Sequence, residues 1–204
     1  MSRGDLLRFT FLERVVHWVV GLTFVFLLAT GLALSYPSLF WLTAMVGGGP
    51  AARLLHPWVG LVFALALVLM LVLWLKDMFL GKSDLAWLGA IRHYAFHEQS
   101  KVPPTGKYNA GQKLFFWAQA ALGLTHLATG VPLWLPADSS AELLVLCRFI
   151  HYFVTLPGGL LLIAHVYLGS VAFPGTARGM LHGTVSRAWA KLHHPLWHEE
   201  QTRS

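Results

Sequence analysis

Four stretches of this chain are apolar for long enough to cross a lipid bilayer as α-helices. They cover residues 15–36, 53–75, 114–135 and 143–173, and each reaches the roughly 20 residues that a hydrocarbon layer about 30 Å thick requires. Short links follow the first and third spans, and residues 76–113 form a long link between the second and third. The pattern predicts an all-α membrane protein with a four-transmembrane-helix bundle, built as a single domain over residues 1–204.

The long link contains a segment of mixed polarity, residues 83–96 (SDLAWLGAIRHYAF). It begins at a capping serine, and its apolar and polar residues fall on different helix faces. We expect this segment to form a short helix along the cytoplasmic surface of the membrane.

The basic residues are distributed unevenly between the two sides of the predicted bundle. With four spans, both termini and the long link lie on one side. Of the fifteen lysines and arginines, only Arg53 and Arg148 fall on the other side. This asymmetry predicts cytoplasmic termini and explains the net charge of +6 without nucleic-acid binding. The single cysteine, Cys147, excludes a disulfide framework or an iron–sulfur cluster held by this chain's cysteines alone.

Two histidines in the fourth span, His151 and His165, are fourteen residues apart. Fourteen helical steps of about 100° fall about 40° short of four turns, so both imidazoles leave one face about 21 Å apart. Two ligands near opposite edges of the hydrocarbon layer indicate two stacked metal centres. The tripeptide Pro157-Gly158-Gly159 lies between them and is a candidate for a kink.

Depth in the membrane gives each of these histidines a partner. His56 opens the second span from the outer side, at the level of His151, and His17 begins the first span at the level of His165. Ligation of a haem iron by each pair satisfies imidazoles that are costly to leave unpaired in a bilayer. Zinc or copper is disfavoured because neither level adds a thiolate, a carboxylate or a third nitrogen. The alternative is that each histidine is hydrogen-bonded to a carbonyl or reaches the interface.

The other histidines receive a different interpretation. His126 falls in the middle of the third span with no partner at its depth, and we interpret it as a hydrogen-bonded packing residue. The histidines of the cytoplasmic segments are expected to be solvated: His93, His97, His182, His193, His194 and His198.

An arginine stands three residues before three of the proposed ligands. These arginines are Arg14, Arg53 and Arg148. An i, i+3 pair shares a helix face, so each guanidinium lies one turn nearer the water, where a haem propionate would emerge. Ordinary anchoring at the membrane interface explains the pattern equally well.

Several motifs accompany these histidines, and together they carry a resemblance to a known family. They are His17-Trp18, Leu55-His56-Pro57 followed by Gly60, residues 106–113 (GKYNAGQK) with Phe116-Trp117, the fourth-span histidine pair, and residues 188–195 (AWAKLHHP) with Trp197. Over nearly its whole length the chain resembles the cytochrome b (gamma) subunit of membrane-bound respiratory formate dehydrogenase.

The resemblance implies two haem b groups, the outer bound by His56 and His151 and the inner by His17 and His165. It also implies a site for menaquinone or ubiquinone near the inner haem, formed by Asn109, Gly111, Gln112 and His165. From the residues alone, Asn109 could equally cap the third helix. The implied partners are an iron–sulfur (beta) subunit and a molybdenum or tungsten catalytic (alpha) subunit on the outer side of the bacterial cytoplasmic membrane.

Other functions remain open at this stage. Histidines in four apolar spans also fit the cytochrome b subunit of a nickel–iron hydrogenase or of a sulfur-compound reductase. A haem-free membrane anchor or small transporter would use the same histidines for packing. Exposed apolar helix faces make partner helices, and a higher oligomer of the complex, a further expectation.

Overall fold

The computed structural model describes residues 5–203, and within them the chain is almost entirely helical. Arg3, one of the basic residues counted above, lies outside this range. The helices are α1 (Phe11–Ser35), α2 (Gly49–Trp74), α3 (Lys82–Gly89), α4 (Ile91–Ala95), α5 (Ala110–Trp134), α6 (Ala141–Tyr167), α7 (Thr176–His182), α8 (Arg187–His193) and α9 (Pro195–Arg203). Two short strands, β1 (Asp5–Leu7) and β2 (Thr184–Ser186), pair antiparallel, with Leu6 opposite Val185.

The four long helices confirm the four predicted spans, but each begins two to four residues earlier than predicted. For α1 the reason is a capping box. The Thr10 N–H donates to Glu13 Oε2 at 2.6 Å, and the Glu13 N–H donates to Thr10 Oγ1 at 3.3 Å. The helix therefore begins directly after Thr10, four residues before the predicted span.

Several of the links contain short helices of other types. The link after α1 folds as a 3₁₀ helix, Pro37–Val46, which the sequence pattern did not predict. A π-helical segment, Leu168–Ala172, extends α6. Single 3₁₀ turns follow α2, α4 and α5: Leu75–Asp77, Gln99–Lys101 and Pro136–Asp138.

The segment predicted as one surface helix is divided into α3 and α4. Ala90 ends the first and begins the second, with φ −99° and ψ 11°. Gly81 is the N-cap of α3, and its N–H donates to the Asp84 carboxylate at 2.8 Å. Lys113 Nζ lies 2.8 Å from the same carboxylate, and both side chains are largely buried. This ion pair fixes the first of the two helices to the start of α5.

The described residues form two compact units, and all four long helices contribute to both. The terminal unit comprises residues 5–14, 72–118 and 164–203, and the span unit comprises residues 15–71 and 119–163. The core of the terminal unit gathers around the two strands. It consists of Leu6, Val185, Trp189, Ala190 and Trp197.

A buried arginine links three parts of the terminal unit. Arg8 is only 4% exposed, and its guanidinium lies 4.9 Å from the Trp189 ring and 5.1 Å from the Trp197 ring. It donates to the Lys107 carbonyl at 2.7 Å and lies 3.1 Å from His194 Nε2. Two of the motifs that carry the family resemblance, residues 106–113 and 188–195, therefore meet at this side chain.

His194 corrects one of our expectations, because it is 2% exposed rather than solvated. Its Nδ1 lies 2.8 Å from the Gly106 carbonyl, an acceptor, so Nδ1 carries the proton and Nε2 accepts from Arg8. The side chain is a structural part of the terminal unit.

In the span unit, the tripeptide at Pro157 does not end α6, which is helical from Ala141 to Tyr167. Its two glycines allow side chains of α1 to approach closely. A Cβ on Gly158 would lie 3.3 Å from the Phe24 ring, and a Cβ on Gly159 would lie 3.6 Å from Leu28. The Gly158 carbonyl also accepts a hydrogen bond from Gln119 Nε2 at 3.3 Å.

Candidate haem-binding site

Two of the predicted ligands, His56 and His151, come together in the span unit. His56 is on α2 and His151 is on α6, and their ring centroids are 6.4 Å apart with an interplanar angle of 59°. The structure therefore brings together the pair that membrane depth predicted.

Each of these imidazoles contacts a threonine on a neighbouring helix. His56 Nδ1 lies 2.8 Å from Thr30 Oγ1 of α1, and His151 Nδ1 lies 2.8 Å from Thr129 Oγ1 of α5. Both hydroxyls also lie close to a carbonyl of their own helix, Phe26 O at 2.8 Å and Thr125 O at 2.7 Å.

These contacts determine where the protons lie. A hydroxyl has one hydrogen, and a carbonyl can only accept, so each threonine donates to its own helix and accepts from the imidazole. Both histidines therefore carry a proton on Nδ1. Their Nε2 atoms keep a lone pair, which is the form that binds a metal.

A glycine follows each threonine and faces the same ring. A Cβ on Gly31 would lie 3.4 Å from His56 Cε1, and a Cβ on Gly130 would lie 3.4 Å from His151 Cε1. A Cβ at either position would therefore be in direct contact with the ring, and glycine leaves this space open beside the ring edge.

The spacing of the two rings fits ligation of one iron from opposite sides. An imidazole nitrogen lies about 1.1 Å from its ring centroid, since ring bonds are about 1.33 Å long, and it binds a metal at about 2.0 Å. Two imidazoles on one iron then have centroids about 6.3 Å apart, and the observed separation is 6.4 Å. Ligation of one iron by two imidazoles does not fix the angle between their planes, so the 59° angle is compatible with it.

Within residues 5–203, no group of three or more His, Cys, Asp or Glu side chains is placed to hold a metal ion. A haem iron does not require such a group, because its other ligands come from the porphyrin. The donor set here fits a haem better than a protein-only zinc or copper centre.

His126 does have a neighbour at its depth, which corrects one part of our interpretation. Its ring centroid is 4.9 Å from that of His151, in an edge-to-face arrangement. Nδ1 lies 2.9 Å from the Leu122 carbonyl, and Nε2 lies 3.1 Å from Thr155 Oγ1. The predicted hydrogen-bonded packing role agrees with these contacts, and the packing is against the His151 ring.

The other two predicted ligands belong to different units and are described separately. In the span unit, the His17 ring contacts Trp18 edge-to-face, with centroids 5.5 Å apart. In the terminal unit, the His165 ring stacks on Phe115 at 4.5 Å with an interplanar angle of 8°. Both imidazoles are half-buried.

The three arginines proposed for propionates have different surroundings. Arg53 and Arg148 are exposed on α2 and α6, one turn before His56 and His151. Arg14 instead donates from Nε to the Met180 carbonyl at 3.1 Å and from NH2 to the Leu181 carbonyl. Its guanidinium thus stabilises the C-terminal end of α7.

The predicted quinone residues form a capping box at the start of α5. Asn109 Oδ1 accepts from the Gln112 N–H at 2.9 Å, and Gln112 Oε1 accepts from the Asn109 N–H at 3.0 Å. Both side-chain oxygens are therefore engaged. A Cβ on Gly111 would lie 3.1 Å from the Trp87 ring, which accounts for a glycine at this position.

The capping box leaves donors rather than acceptors for a ligand. Asn109 Nδ2 has only a long contact, 3.5 Å, to the hydroxyl of Tyr94. Burial raises the pKa of Tyr94 to about 12, so its phenol is a neutral hydroxyl at physiological pH.

The sequence alone did not predict a role at this site for Thr30, Gly31, Thr129 and Gly130. A Thr-Gly dipeptide occurs in the first span and again in the third, and this repetition was the available signal. It could not be assigned to a histidine without knowing which helix faces meet.

Comparison with known proteins assigns the family. Residues 8–183 match the family model described as prokaryotic cytochrome b561. The cytochrome b556(fdo) subunit of formate dehydrogenase from Escherichia coli K12 is 33% identical, covering 98% of this chain and 95% of that protein.

Two further relatives have similar names. The cytochrome b556(Fdn) subunit of the nitrate-inducible formate dehydrogenase from Escherichia coli K12 is 34% identical over 98% of this chain and 94% of its own length. The formate dehydrogenase cytochrome b556 subunit of Haemophilus influenzae is 30% identical over 94% and 81%. Together with the four apolar helices, these matches show that the chain belongs to the prokaryotic cytochrome b561 family, as a multi-pass membrane cytochrome b of the formate dehydrogenase type that carries haem b and transfers electrons.

Proposed function

We propose that residues 1–204 form one di-haem cytochrome b domain serving a respiratory formate dehydrogenase. The chain would accept electrons from an iron–sulfur subunit on the outer side of the cytoplasmic membrane and deliver them to a quinone near the cytoplasmic face. A molybdenum or tungsten catalytic subunit would oxidise formate. The names of the curated relatives support this assignment.

The outer haem would be held by His56 and His151, and the inner haem by His17 and His165. The observation that carries the proposal is the His56–His151 pair, whose ring centroids are 6.4 Å apart and whose Nδ1 atoms each contact a threonine hydroxyl. When bound, haem b supplies reversible one-electron transfer. The chain's own residues hold the imidazoles in the metal-binding tautomer and keep water away. Arg53 and Arg148 are our candidates for propionate binding at the outer haem, and Arg14 is the candidate at the inner one.

For the quinone we propose the region of Asn109, Gly111, Gln112 and His165. A quinone carbonyl is an acceptor and needs N–H donors. The capping box engages both side-chain oxygens and leaves the two amide nitrogens, which supports a donor role. Reduction to the quinol takes up two electrons and two protons, and the protons would come from the cytoplasm, the side assigned by the distribution of basic residues.

The first experiment is the reduced-minus-oxidised optical spectrum of the purified membrane complex, with haem quantified per chain. Two b-type haems are expected, and His151→Ala should remove the outer one and retain the inner. One haem in the unmutated chain would refute one of the two ligand pairs. A folded complex without haem would refute the function.

The choice of partner is tested on the same complex with two reductants. Formate should reduce the haems, and metal analysis should find molybdenum or tungsten. Reduction by hydrogen but not by formate would instead support a hydrogenase partner.

Association into a larger assembly is proposed from the exposed apolar face of α6 and is measured on the same sample by native mass spectrometry.

The quinone residues can be tested with an isosteric change. Asn109→Asp keeps the capping oxygen, since Asp caps as well as Asn, but replaces the Nδ2 donor by an acceptor. The KM for a quinone analogue should rise about tenfold or more, as one lost hydrogen bond allows, while haem content stays constant. An unchanged KM in a variant with intact haems would remove Asn109 from the site.

A further inference from the structure

We propose that Thr30 and Thr129 are positioning residues for the outer haem, each setting the tautomer, orientation and electron donation of one axial histidine. This inference rests on the proposed ligation by His56 and His151. It concerns two hydroxyls on α1 and α5, whereas the ligands themselves are on α2 and α6.

The two threonine–histidine contacts are equivalent. Both threonine oxygens are 2.8 Å from a histidine Nδ1, and both are followed by a glycine whose added Cβ would lie 3.4 Å from the same ring. The two contacts are made by different helices to different ligands. Coincidental packing does not explain why the same dipeptide meets both rings in the same way.

The direction of the hydrogen bonds makes each threonine oxygen an acceptor for the imidazole. Each hydroxyl donates to the carbonyl four residues earlier in its own helix, Phe26 for Thr30 and Thr125 for Thr129. Its oxygen is therefore available only as an acceptor, and it is polarised by the bond it donates. An Nδ1–H that donates to such an oxygen places more electron density on Nε2, the atom that would bind the haem iron.

Without the two hydroxyls, each histidine would lose the acceptor for its Nδ1–H. Thr30 and Thr129 are buried, 3% and 6% exposed. Removing either oxygen would leave an Nδ1–H in apolar surroundings, and the ring could satisfy it only by rotating or by changing tautomer. Either change would take Nε2 out of the ligating position. The two hydroxyls thus select the metal-binding state of the site before any metal is present.

The test is the pair of single variants Thr30→Val and Thr129→Val in the purified complex. Valine keeps the shape and removes the acceptor. Loss of an outer-shell partner typically lowers metal affinity 10–100-fold, so outer-haem retention during dilution or mild denaturation should fall. Because the lost bond favours the ferric state, the midpoint potential of the outer haem should rise. If the substitution weakens binding of the ferric haem tenfold more than binding of the ferrous haem, the midpoint potential rises by about 59 mV.

Two controls separate positioning from general damage. Thr23 in α1 makes the same kind of bond to its own helix, with Oγ1 2.6 Å from the Val19 carbonyl, so Thr23→Val controls for the loss of a helical threonine. Thr30→Ser and Thr129→Ser retain the hydroxyl and should restore the potential. The electron paramagnetic resonance signal of the ferric outer haem should shift in the valine variants and not in these controls.

The outcomes distinguish this inference from the proposed function. If His151→Ala removes the outer haem, but both valine variants match Thr23→Val in potential, haem retention and resonance signal, the positioning role is wrong and the ligation stands. If His151→Ala leaves both haems in place, the ligand assignment fails and this inference fails with it.

Discussion

The packing of α5 in the span unit gives a prediction that uses one substitution at two sites. Gly123 lies on α5, where an added Cβ would be 2.6 Å from Leu67 Cδ2 and 3.2 Å from the Phe63 ring. Gly21 lies on α1, where an added Cβ meets nothing within 4 Å. Gly123→Ala and Gly21→Ala therefore add the same methyl group, the first at a crowded position and the second in open space.

The two magnitudes follow from these distances. Carbon atoms in contact are normally about 3.5–4.0 Å apart, so the Cβ of Gly123→Ala overlaps Leu67 by about 1 Å. Leu67 is 2% exposed and Phe63 is 6% exposed, and neither has open space to move into. Overpacking of this kind costs about 1–3 kcal/mol, whereas glycine to alanine in a helix gains up to about 1 kcal/mol. Gly21→Ala should show the gain alone.

The assay is thermal unfolding in one detergent at one scan rate, because membrane complexes of this kind unfold irreversibly. A difference of about 2 kcal/mol between the variants corresponds to about 4–8 °C in apparent Tm for a chain of this length. Gly123→Ala should melt below the unmutated chain and Gly21→Ala at or above it. If Gly123→Ala melts as high as Gly21→Ala, the close approach of α5 to Leu67 and Phe63 is wrong.

Two further predictions concern the terminal unit. Burial lowers the pKa of His194 well below 6.5. As the pH decreases below 6.5, the unfolded chain therefore binds a proton that the folded chain does not. The free energy of unfolding then falls by up to about 1.4 kcal/mol for each pH unit of acidification. The apparent Tm in the same thermal assay should fall less between pH 7.5, 6.5 and 5.5 in His194→Asn than in the unmutated chain, and an equal fall would contradict this. Asp84→Ala leaves Lys113 buried without its carboxylate partner and should cost about 3–5 kcal/mol. The double variant Asp84→Ala, Lys113→Leu should recover much of this loss, as measured by limited proteolysis of the long link, and no recovery would show that the ion pair is not the cause.

The spans could be predicted from the sequence because one physical requirement dominates them. A bilayer demands about 20 consecutive apolar residues, and that signal does not depend on tertiary contacts. The helix starts were less accurate, because they depend on caps such as Thr10 with Glu13 and Asn109 with Gln112, which lie outside the apolar run. The division between α3 and α4 was not predicted, because no proline marks it.

The histidine pair could be predicted because depth is encoded in the order of spans. The alternating direction of successive spans was enough to match His56 with His151, whose ring centroids are 6.4 Å apart. Rotation of each helix about its own axis is not encoded in this way. His126, Thr30 and Thr129 therefore received no site role from the sequence, and buried His194 was expected in solvent.

The use of threonine rather than a carboxylate beside these histidines follows from their surroundings. In soluble metalloproteins a carboxylate often accepts from the ligating histidine, but an ionised carboxylate is costly in a bilayer unless a counter-charge is buried with it. A threonine hydroxyl is neutral, and its own hydrogen is satisfied by the helix that carries it, as with Thr30 and Phe26 O. It thus provides an acceptor for Nδ1–H without leaving a charge or a free donor in the apolar layer. A consequence is that Thr30→Asp should harm the site more than Thr30→Val, although aspartate is the better acceptor in water.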